Sequence, residues 1–188
     1  MDFETVYNTK VEKCSHETAF NKVEAEKLWT LAQTLTGDDY VVEIGVEFGR
    51  STTILGYCAL ANCFNFVAID AWVGEYSPKA KQHILNILQG EWCLPINLWS
   101  LSSYEAAKIY NKPISLIHID GGHEYEEVLQ DCTLWLPKVK KGGYACFDDY
   151  GHDSLPGVFA AVQDYMKYHT EWEFLGRFGN KLGVFRNK

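Results

Sequence analysis

The chain has 188 residues, of which 47% are hydrophobic, and this predicts one domain whose core needs neither metal nor disulfide bonds for stability. Its formal net charge is −8 and it has no run of lysines or arginines, which argues against nucleic acid as a partner because phosphate binding requires clustered cations. No apolar stretch approaches the length that spans a bilayer, so we expect no membrane partner.

The cysteines and the N-terminal residues indicate the compartment. None of the six cysteines forms a Cys-x-x-Cys pair, and several lie within apolar helix or strand patterns, where cysteine acts as a small hydrophobic residue. No basic segment followed by an apolar run marks the start of the chain, so we expect no secretion. These features predict a protein of the reducing cytoplasm.

Strand-like and helix-like segments alternate along most of the chain. A helix is predicted over residues 17–36, within an N-terminal helical segment (1–36) that precedes a core at residues 37–188. The core pattern predicts strands at 40–45, 64–70, 95–99, 114–120 and 143–148, and helices at 50–61, 78–90, 102–111, 124–137 and 156–169. Such alternation is typical of a parallel sheet with helices on both faces.

The C-terminal residues break this rhythm. Two strand-like runs, at 172–178 and 181–186, are joined by Gly179-Asn180, which is a hairpin signal. The last strand should therefore be antiparallel to its neighbour. The full pattern predicts a single domain over residues 1–188 with an α/β, Rossmann-like, doubly wound sheet of seven strands, mostly parallel, whose parallel strands end along one edge.

The first predicted strand runs into a glycine turn with the sequence Glu43-Ile44-Gly45-Val46-Glu47-Phe48-Gly49. Glycines at 45 and 49 allow the backbone to approach a ligand, and the helix that follows offers unpaired N–H groups. A dinucleotide loop would need a third glycine and no carboxylates near its pyrophosphate, whereas Glu43 and Glu47 suit a cationic ligand such as S-adenosylmethionine. A generic α/β turn without a ligand is the alternative.

Asp70 ends the second predicted strand. A carboxylate at this position, one helix and one strand after the glycine loop, can accept hydrogen bonds from both hydroxyls of a ribose. We therefore interpret Asp70 as a ribose ligand, with a helix or turn cap as the alternative.

Three carboxylates should meet where the fourth and fifth strands end. Asp120 ends the fourth strand and Asp148-Asp149 end the fifth, so adjacent parallel strands would bring them to one edge. Close carboxylates repel, so either one takes a proton or a cation neutralises the group. We favour a divalent cation, Mg²⁺ above all, held by Asp120, Asp148 and Asp149. In the alternative, Asp149 caps a turn and Asp148 binds a backbone N–H, without metal.

Two blocks carry a family resemblance: Asp120-Gly121-Gly122-His123-Glu124-Tyr125 and Gly142-Gly143 followed by Asp148-Asp149-Tyr150. In this order they resemble blocks of small O-methyltransferases, both catechol-type enzymes and those that act on natural-product sugars. These enzymes are class I S-adenosylmethionine-dependent methyltransferases. The predicted fold, with an antiparallel last strand, resembles the same class over nearly the whole chain.

The resemblance extends the predicted cofactor site. Ser51 matches the position that holds the methionine carboxylate in catechol-type enzymes, and Ala71-Trp72-Val73-Gly74 is similar to a stretch in small bacterial methyltransferases. Ser102 matches a serine beside the adenine. The complete predicted set for S-adenosylmethionine is Glu43, Gly45, Gly49, Ser51, Asp70, Trp72, Ser102 and Asp120. Helix capping by the serines and a packing role for Trp72 are the alternatives.

His123 is the candidate general base, with Asp120 as the second catalytic residue. It stands where catechol-type enzymes carry a lysine base and sugar-modifying relatives a histidine, and an imidazole with a pKa of about 6.5 can accept a hydroxyl proton. The alternative is that it caps the next helix, and His152 is then the reserve base. We expect His118 to be a satisfied core residue, and His16, His83 and His169 to lie at the surface or cap helices.

These observations predict methyl transfer from S-adenosylmethionine to a hydroxyl of a small molecule, with a divalent cation assisting. The alternatives are a binding module for S-adenosylmethionine or a nucleoside without catalysis, and a metal-dependent, hydroxylase-like relative. We expect a homo-oligomer if a second subunit completes a short lid. An aromatic wall for the acceptor is predicted from Trp72, Tyr76, Trp92, Tyr150 and Phe159. The acidic residues Glu124, Glu126, Glu127 and Asp131 are interpreted as a solvated helix face.

Overall fold

The structure is a computed structural model that describes residues 1–14, 20–73 and 77–188. The predictions for His16, Gly74 and Tyr76 lie outside these described residues. Seven strands form a sheet in the order β3-β2-β1-β4-β5-β7-β6. Their bounds are β1 Tyr40–Ile44, β2 Asn65–Ile69, β3 Ile96–Trp99, β4 Ile114–Ile119, β5 Val139–Phe147, β6 Trp172–Phe178 and β7 Leu182–Asn187.

The first five strands are parallel to one another, and β7 lies between β5 and β6, antiparallel to both. The predicted seven-stranded, doubly wound sheet with an antiparallel last strand is therefore confirmed. The order reverses between β1 and β4, which are direct neighbours. Ligands of doubly wound sheets bind beyond the carboxyl ends of the strands at such a reversal.

Helices cover both faces of the sheet. They are α1 Phe3–Thr9, α2 Lys22–Ala32, α3 Arg50–Asn62, α4 Ser77–Ile84, α5 Ser103–Ile109, α6 Tyr125–Trp135 and α7 Pro156–Tyr168, and a π-helical stretch, Leu85–Glu91, follows α4. One apolar core packs α1 to α4 against the sheet, and a second packs α5 to α7 against the opposite face. The described helices are too short or too polar for any of them to cross a bilayer.

Helix α2 begins later than the predicted residue 17 because Asn21 caps it. The Asn21 side chain accepts hydrogen bonds from the N–H groups of Val23 and Glu24, and the Glu24 carboxylate accepts from the Asn21 N–H at 2.8 Å. This reciprocal capping box satisfies backbone donors that the helix itself leaves unpaired.

Strand β5 begins at Val139, before the predicted residue 143. Val139 pairs with Ile114, the register then shifts, and pairing resumes between Leu116 and Tyr144. Gly142 lies between these pairs with φ 82°, a left-handed conformation suited to a bulge within a strand. The two glycines that indicated a strand boundary thus belong to an irregularity inside the strand.

Candidate functional site

The loop after β1 touches the residue after β4. Gly45 has φ 87°, and a Cβ atom there would collide with the carbonyl group of Asp120. The Asp120 N–H donates to the Ile44 carbonyl at 2.8 Å, which extends the β1–β4 ladder to this edge. Gly49, with φ 78°, is the N-cap of α3. Both predicted loop glycines are thus required by backbone geometry, and the glycine loop adjoins Asp120.

Asp70 is bonded to this loop through its side chain. Its Oδ2 accepts from the N–H groups of Val46, at 2.8 Å, and Glu47, at 3.0 Å, while Oδ1 accepts from the Trp72 N–H at 2.7 Å. A carboxylate has about four acceptor positions. In this arrangement Asp70 therefore orders the glycine loop and has capacity for about one further hydrogen bond, rather than for both hydroxyls of a ribose.

Glu43 lies behind the loop in the interior of the protein. Its side chain is completely buried, accepts a hydrogen bond from the Thr52 hydroxyl at 2.5 Å, and lies 3.3 Å from Nδ1 of His118. Burial alone would lower the pKa of His118, but the hydrogen bond and charge of Glu43 outweigh it and raise the pKa. Glu43 thus braces β1, α3 and β4 from inside, and ligand contact would require it to leave these partners.

We expected both ring nitrogens of His118 to have hydrogen-bond partners, but only one of them has a partner among the described residues. Nδ1 faces Glu43, whereas Nε2 is buried and has no hydrogen-bond partner among the described residues.

The remaining predicted cofactor residues lie at helix starts or in the loop after β2. Ser51 is buried in the first turn of α3, and Ser102 caps α5 in a capping box with Glu105. Trp72 is half-buried with φ 53°, and its indole N–H is buried without a partner in the described part of the chain. Capping accounts for the hydroxyl of Ser102, while the Trp72 N–H is an unsatisfied donor near the end of β2.

A cluster of charged groups lies beyond β4 and β5. Nε2 of His123 is 3.1 Å from Oδ2 of Asp149 and 3.8 Å from Oδ1 of Asp120. On the other side of Asp149, the ammonium of Lys181 lies 2.9 Å from its Oδ1 and 2.9 Å from Oδ2 of Asp148. The cluster therefore contains three carboxylates and two basic groups.

The pKa values in the cluster follow from this arrangement. The carboxylates of Asp120 and Asp149 raise the pKa of His123 to about 10. Burial would raise the pKa of Asp149, but His123 and Lys181 lower it to about 2. Burial, together with the charge of Asp120, raises the pKa of Asp148. At neutral pH this gives an imidazolium paired with an ionised Asp149.

Comparison with known proteins identifies the family. The family described as a methyltransferase domain matches residues 42–150, which include the glycine loop, Asp70 and the charged cluster up to Tyr150. The chain belongs to this methyltransferase family. The class inferred from the sequence, an S-adenosylmethionine-dependent methyltransferase, is thereby confirmed, with that compound as the methyl donor.

The chain is also similar to individual relatives and solved structures. The chain is 36% identical over 169 residues to the uncharacterized protein R132 of Acanthamoeba polyphaga mimivirus, covering 83% of this chain and 76% of the relative. Its fold is similar to that of the O-methyltransferase NovP, with a TM-score of 0.70, 17% identity, and coverage of 87% and 79% of the two chains. It is also similar to an O-methyltransferase from Bacillus cereus in complex with SAH, with a TM-score of 0.66, 16% identity, and coverage of 97% and 88%.

The methyltransferase could hold a divalent cation with a different trio from the predicted one. Ligand atoms of Asp120, His123 and Asp149 lie within 4.8 Å of one another. Asp148, predicted as the third ligand, has one oxygen on Lys181 and the other buried without a partner among the described residues. Two carboxylates and an imidazole are donors of the kind that divalent ions bind, so the geometry favours His123 over Asp148 as the third candidate ligand, and the predicted set stays a prediction.

Lys181 is the functional-site residue that the sequence analysis missed. The signal was the predicted hairpin: in the antiparallel β5–β7 pairing Phe147 lies opposite Gly183, which brings residues 149 and 181 towards one another. Only the register of that pairing, which the sequence pattern left open, identifies the lysine as a partner of the acid pair.

The prediction that Asp131 belongs to a solvated helix face is wrong. It is buried, accepts a hydrogen bond from the Ser103 hydroxyl, and burial raises its pKa to about 6. Ser103 in turn accepts from the Trp135 indole at 2.7 Å. Asp131 therefore joins α6 to α5, because its position on the helix points it inward.

Two predicted aromatic wall residues are part of the packed interior. Tyr150 is buried against Phe159, Phe174 and Phe185, and Trp92 is buried near Tyr57. The reserve base, His152, is exposed and accepts a hydrogen bond from the Ser154 N–H at 3.2 Å. Packing and turn formation thus account for the positions of these side chains.

Proposed function

We propose that this methyltransferase moves the methyl group of S-adenosylmethionine to a hydroxyl of a small molecule, with His123 as the proton acceptor. The observation that carries the proposal is the contact between Gly45 and the carbonyl of Asp120, because it sets the glycine loop beside the residues that flank His123.

The reaction is an in-line displacement. A lone pair of the acceptor oxygen forms a bond to the methyl carbon, the carbon–sulfur bond breaks, and its electrons remain on sulfur in S-adenosylhomocysteine. The hydroxyl proton passes to Nε2 of His123. Because the sulfonium is already a good leaving group, the protein contributes mainly alignment, for which up to roughly 7–11 kcal/mol is available. General base catalysis adds roughly 10²–10⁴-fold.

His123 must first lose the proton that its acidic neighbours hold on it. Asp120 and Asp149 raise its pKa to about 10, so the free protein carries an imidazolium at neutral pH. A bound sulfonium is a second positive charge at this edge of the sheet and favours the neutral imidazole. We infer that cofactor binding prepares the base by favouring loss of the proton that Asp120 and Asp149 hold at Nε2.

A divalent cation is the competing version of the mechanism. Asp120, His123 and Asp149 would hold it, and it would supply positive charge that binds the acceptor oxygen and lowers its pKa. Such an ion would use the same Nε2 lone pair that the base needs. His123 therefore serves either as base or as metal ligand, and we favour the base because Lys181 already neutralises the acid pair.

The acceptor is proposed to be a small molecule with a hydroxyl group. Two structures with a similar fold are named O-methyltransferases. The net charge of −8 disfavours a polyanionic acceptor such as a nucleic acid. A homo-oligomer that completes the acceptor pocket and a cytoplasmic location stay predictions.

The test is a methyl-transfer screen. The protein is incubated with S-adenosylmethionine and a panel of hydroxylated small molecules, with and without excess chelator, and S-adenosylhomocysteine formation is measured. We expect turnover by the wild-type protein and a rate roughly 10²–10⁴-fold lower in His123→Gln. Binding of the cofactor without turnover on any acceptor would favour the non-catalytic module, and oxygen consumption with added iron would favour the hydroxylase-like alternative.

A further inference from the structure

We propose that the ammonium of Lys181 is the cation that neutralises Asp148 and Asp149, in the place where the sequence predicted a divalent metal ion. The inference rests on the proposed methyl transfer, which would then proceed without a bound metal ion. The family match covers residues 42–150 and so does not reach this lysine.

The ammonium bridges the two acids out of contact with most solvent. Nζ lies 2.9 Å from an oxygen of each carboxylate, and the side chains of Lys181, Asp148 and Asp149 are only 14%, 2% and 10% exposed. Removing one partner of such a buried pair leaves an uncompensated charge, which is strongly unfavourable. Lys181 is therefore a buried component of the charged cluster and not a surface side chain that lies near it.

The fold fixes where the lysine stands. Lys181 precedes β7, whose antiparallel pairing with β5 ends with Gly183 opposite Phe147. The hairpin turn is tied to α2, because the Asn21 side-chain amide donates to the Gly179 carbonyl at 2.6 Å. The position of the ammonium follows from the sheet register and from this anchor, so cofactor or acceptor binding is not needed to bring it into place.

Charge and ligand geometry then disfavour a metal on the same two acids. Nζ of Lys181 already lies on one oxygen of Asp148 and one of Asp149, so a cation at this pair would meet carboxylates that have a positive partner. Mg²⁺ requires close carboxylate oxygens at about 2.1 Å, and two of the oxygens here are held by the ammonium. A dication would also lie beside the ammonium of Lys181, which repels it.

The test compares manganese binding by three lysine variants with that by the wild-type protein. Lys181→Met keeps much of the apolar stem and removes the charge, whereas Lys181→Arg keeps the charge. Lys140→Met is the matched control, since Lys140 also pairs with an aspartate, Asp39, but at the opposite edge of the sheet. Free Mn²⁺ is followed by electron paramagnetic resonance, which requires neither cofactor nor acceptor.

We expect the wild-type protein, Lys181→Arg and Lys140→Met to show no saturable Mn²⁺ binding at submillimolar concentrations. Lys181→Met should bind Mn²⁺ at least about tenfold more tightly, because Asp148 and Asp149 then lack their ammonium. Methyl transfer by the wild-type protein should be unchanged in excess chelator. Circular dichroism checks that Lys181→Met is folded.

Tight Mn²⁺ binding by the wild-type protein, or loss of its turnover in chelator with recovery on adding Mn²⁺, would overturn the inference even if Lys181→Met does not fold. Equal Mn²⁺ affinity of folded Lys181→Met and wild type would do the same. Absence of S-adenosylhomocysteine binding by the wild-type protein would instead count against the proposed function, so the two failures are distinguishable.

Discussion

Nε2 of His123 lies 3.1 Å from Oδ2 of Asp149. His123 lies just before Glu124, the N-cap of α6, and Asp149 lies two residues after the end of β5. Asp149 has φ 54°, which is uncommon for a residue with a side chain and which directs its carboxylate between His123 and Lys181. Strain of this kind persists where the surroundings fix it, and it is concentrated at functional sites.

The first prediction concerns the base. We expect His123→Gln to reduce the single-turnover rate of methyl transfer by roughly 10²–10⁴-fold, because the proton acceptor is lost. Affinity for S-adenosylhomocysteine, measured by isothermal titration, should change little. His152→Gln is the matched control and should retain the wild-type rate, since His152 serves the turn at Ser154. The reverse result for the two variants would assign the base to His152.

The second prediction is the pH dependence. Asp120 and Asp149 raise the pKa of His123 to about 10, so its proton is retained at neutral pH and the neutral base forms only as the pH rises. The rate at subsaturating acceptor should therefore increase with pH and fall as the pH drops below the pKa. Asp149→Asn removes one of the carboxylates, so the pKa falls and the rising limb moves to lower pH.

The pH–rate profiles of wild type and Asp149→Asn, with nuclear magnetic resonance titration of the His123 ring, measure this effect. A limb that moves to higher pH in Asp149→Asn would contradict the account. A ring pKa that is the same in complexes with S-adenosylmethionine and with the uncharged sulfide S-adenosylhomocysteine would contradict the role given to the sulfonium.

The third prediction concerns Asp70. Asp70→Ala leaves the N–H groups of Val46, Glu47 and Trp72 without the acceptor that orders them. We expect S-adenosylhomocysteine to bind roughly 10–100-fold more weakly, since the loss of such hydrogen bonds costs about 1–3 kcal/mol. Asp39→Ala, at the opposite edge of the sheet, should leave the affinity unchanged. An equal loss in both variants would mean that general destabilisation causes it.

The fourth prediction compares two glycines with similar backbone angles. Gly45 has φ 87° and faces the Asp120 backbone, whereas Gly142 has φ 82° and a Cβ there would meet nothing within 4 Å. Gly142→Ala should lower the free energy of unfolding by only about 1–2 kcal/mol, which is the energy that alanine needs to adopt the left-handed conformation. Gly45→Ala should cost at least about 1 kcal/mol more, because backbone atoms must move. Urea unfolding measures both, and equal costs would show that the loop yields readily.

The fifth prediction concerns stability in acid. Burial would raise the pKa of Asp39, but Lys140 and Ser115 lower it from 3.8 to about 2. A lowered pKa stabilises the folded protein above pH 3.8, and this contribution disappears as the pH falls from about 4 to about 2. The difference in unfolding free energy between wild type and Asp39→Asn should be up to about 2 kcal/mol at pH 6 and should shrink below pH 4. A difference that grows in acid would contradict this.

Local sequence patterns were sufficient to predict most of the fold. The alternation of apolar strands and amphipathic helices predicted every strand of the sheet, because a strand covered on both faces, such as Asn65–Ile69, must be apolar almost throughout. The same reasoning brought Asp120, Asp148 and Asp149 to one edge. Boundaries were less accurate where a polar residue decides them, as Asn21 does for α2.

The sequence pattern could not predict side-chain contacts between segments that are distant in the chain. Lys181 meets Asp149 only through the β5–β7 register, and Asp131 meets Ser103 only through the packing of α6 on α5. Glu43 was interpreted from its place beside the glycine loop, but the alternation of a strand sends its side chain into the interior toward Thr52 and His118. Sequence spacing predicts which edge a residue reaches more readily than which partner it finds there.

S-adenosylmethionine should bind at the glycine loop beside the His123 cluster. The decisive experiment is a structure of the protein soaked with S-adenosylhomocysteine. We expect the ligand across the loop between Gly45 and Gly49, in contact with Asp70, with its sulfur facing His123. Density for the ligand at any other place on the protein, or none at saturating concentration, would contradict it.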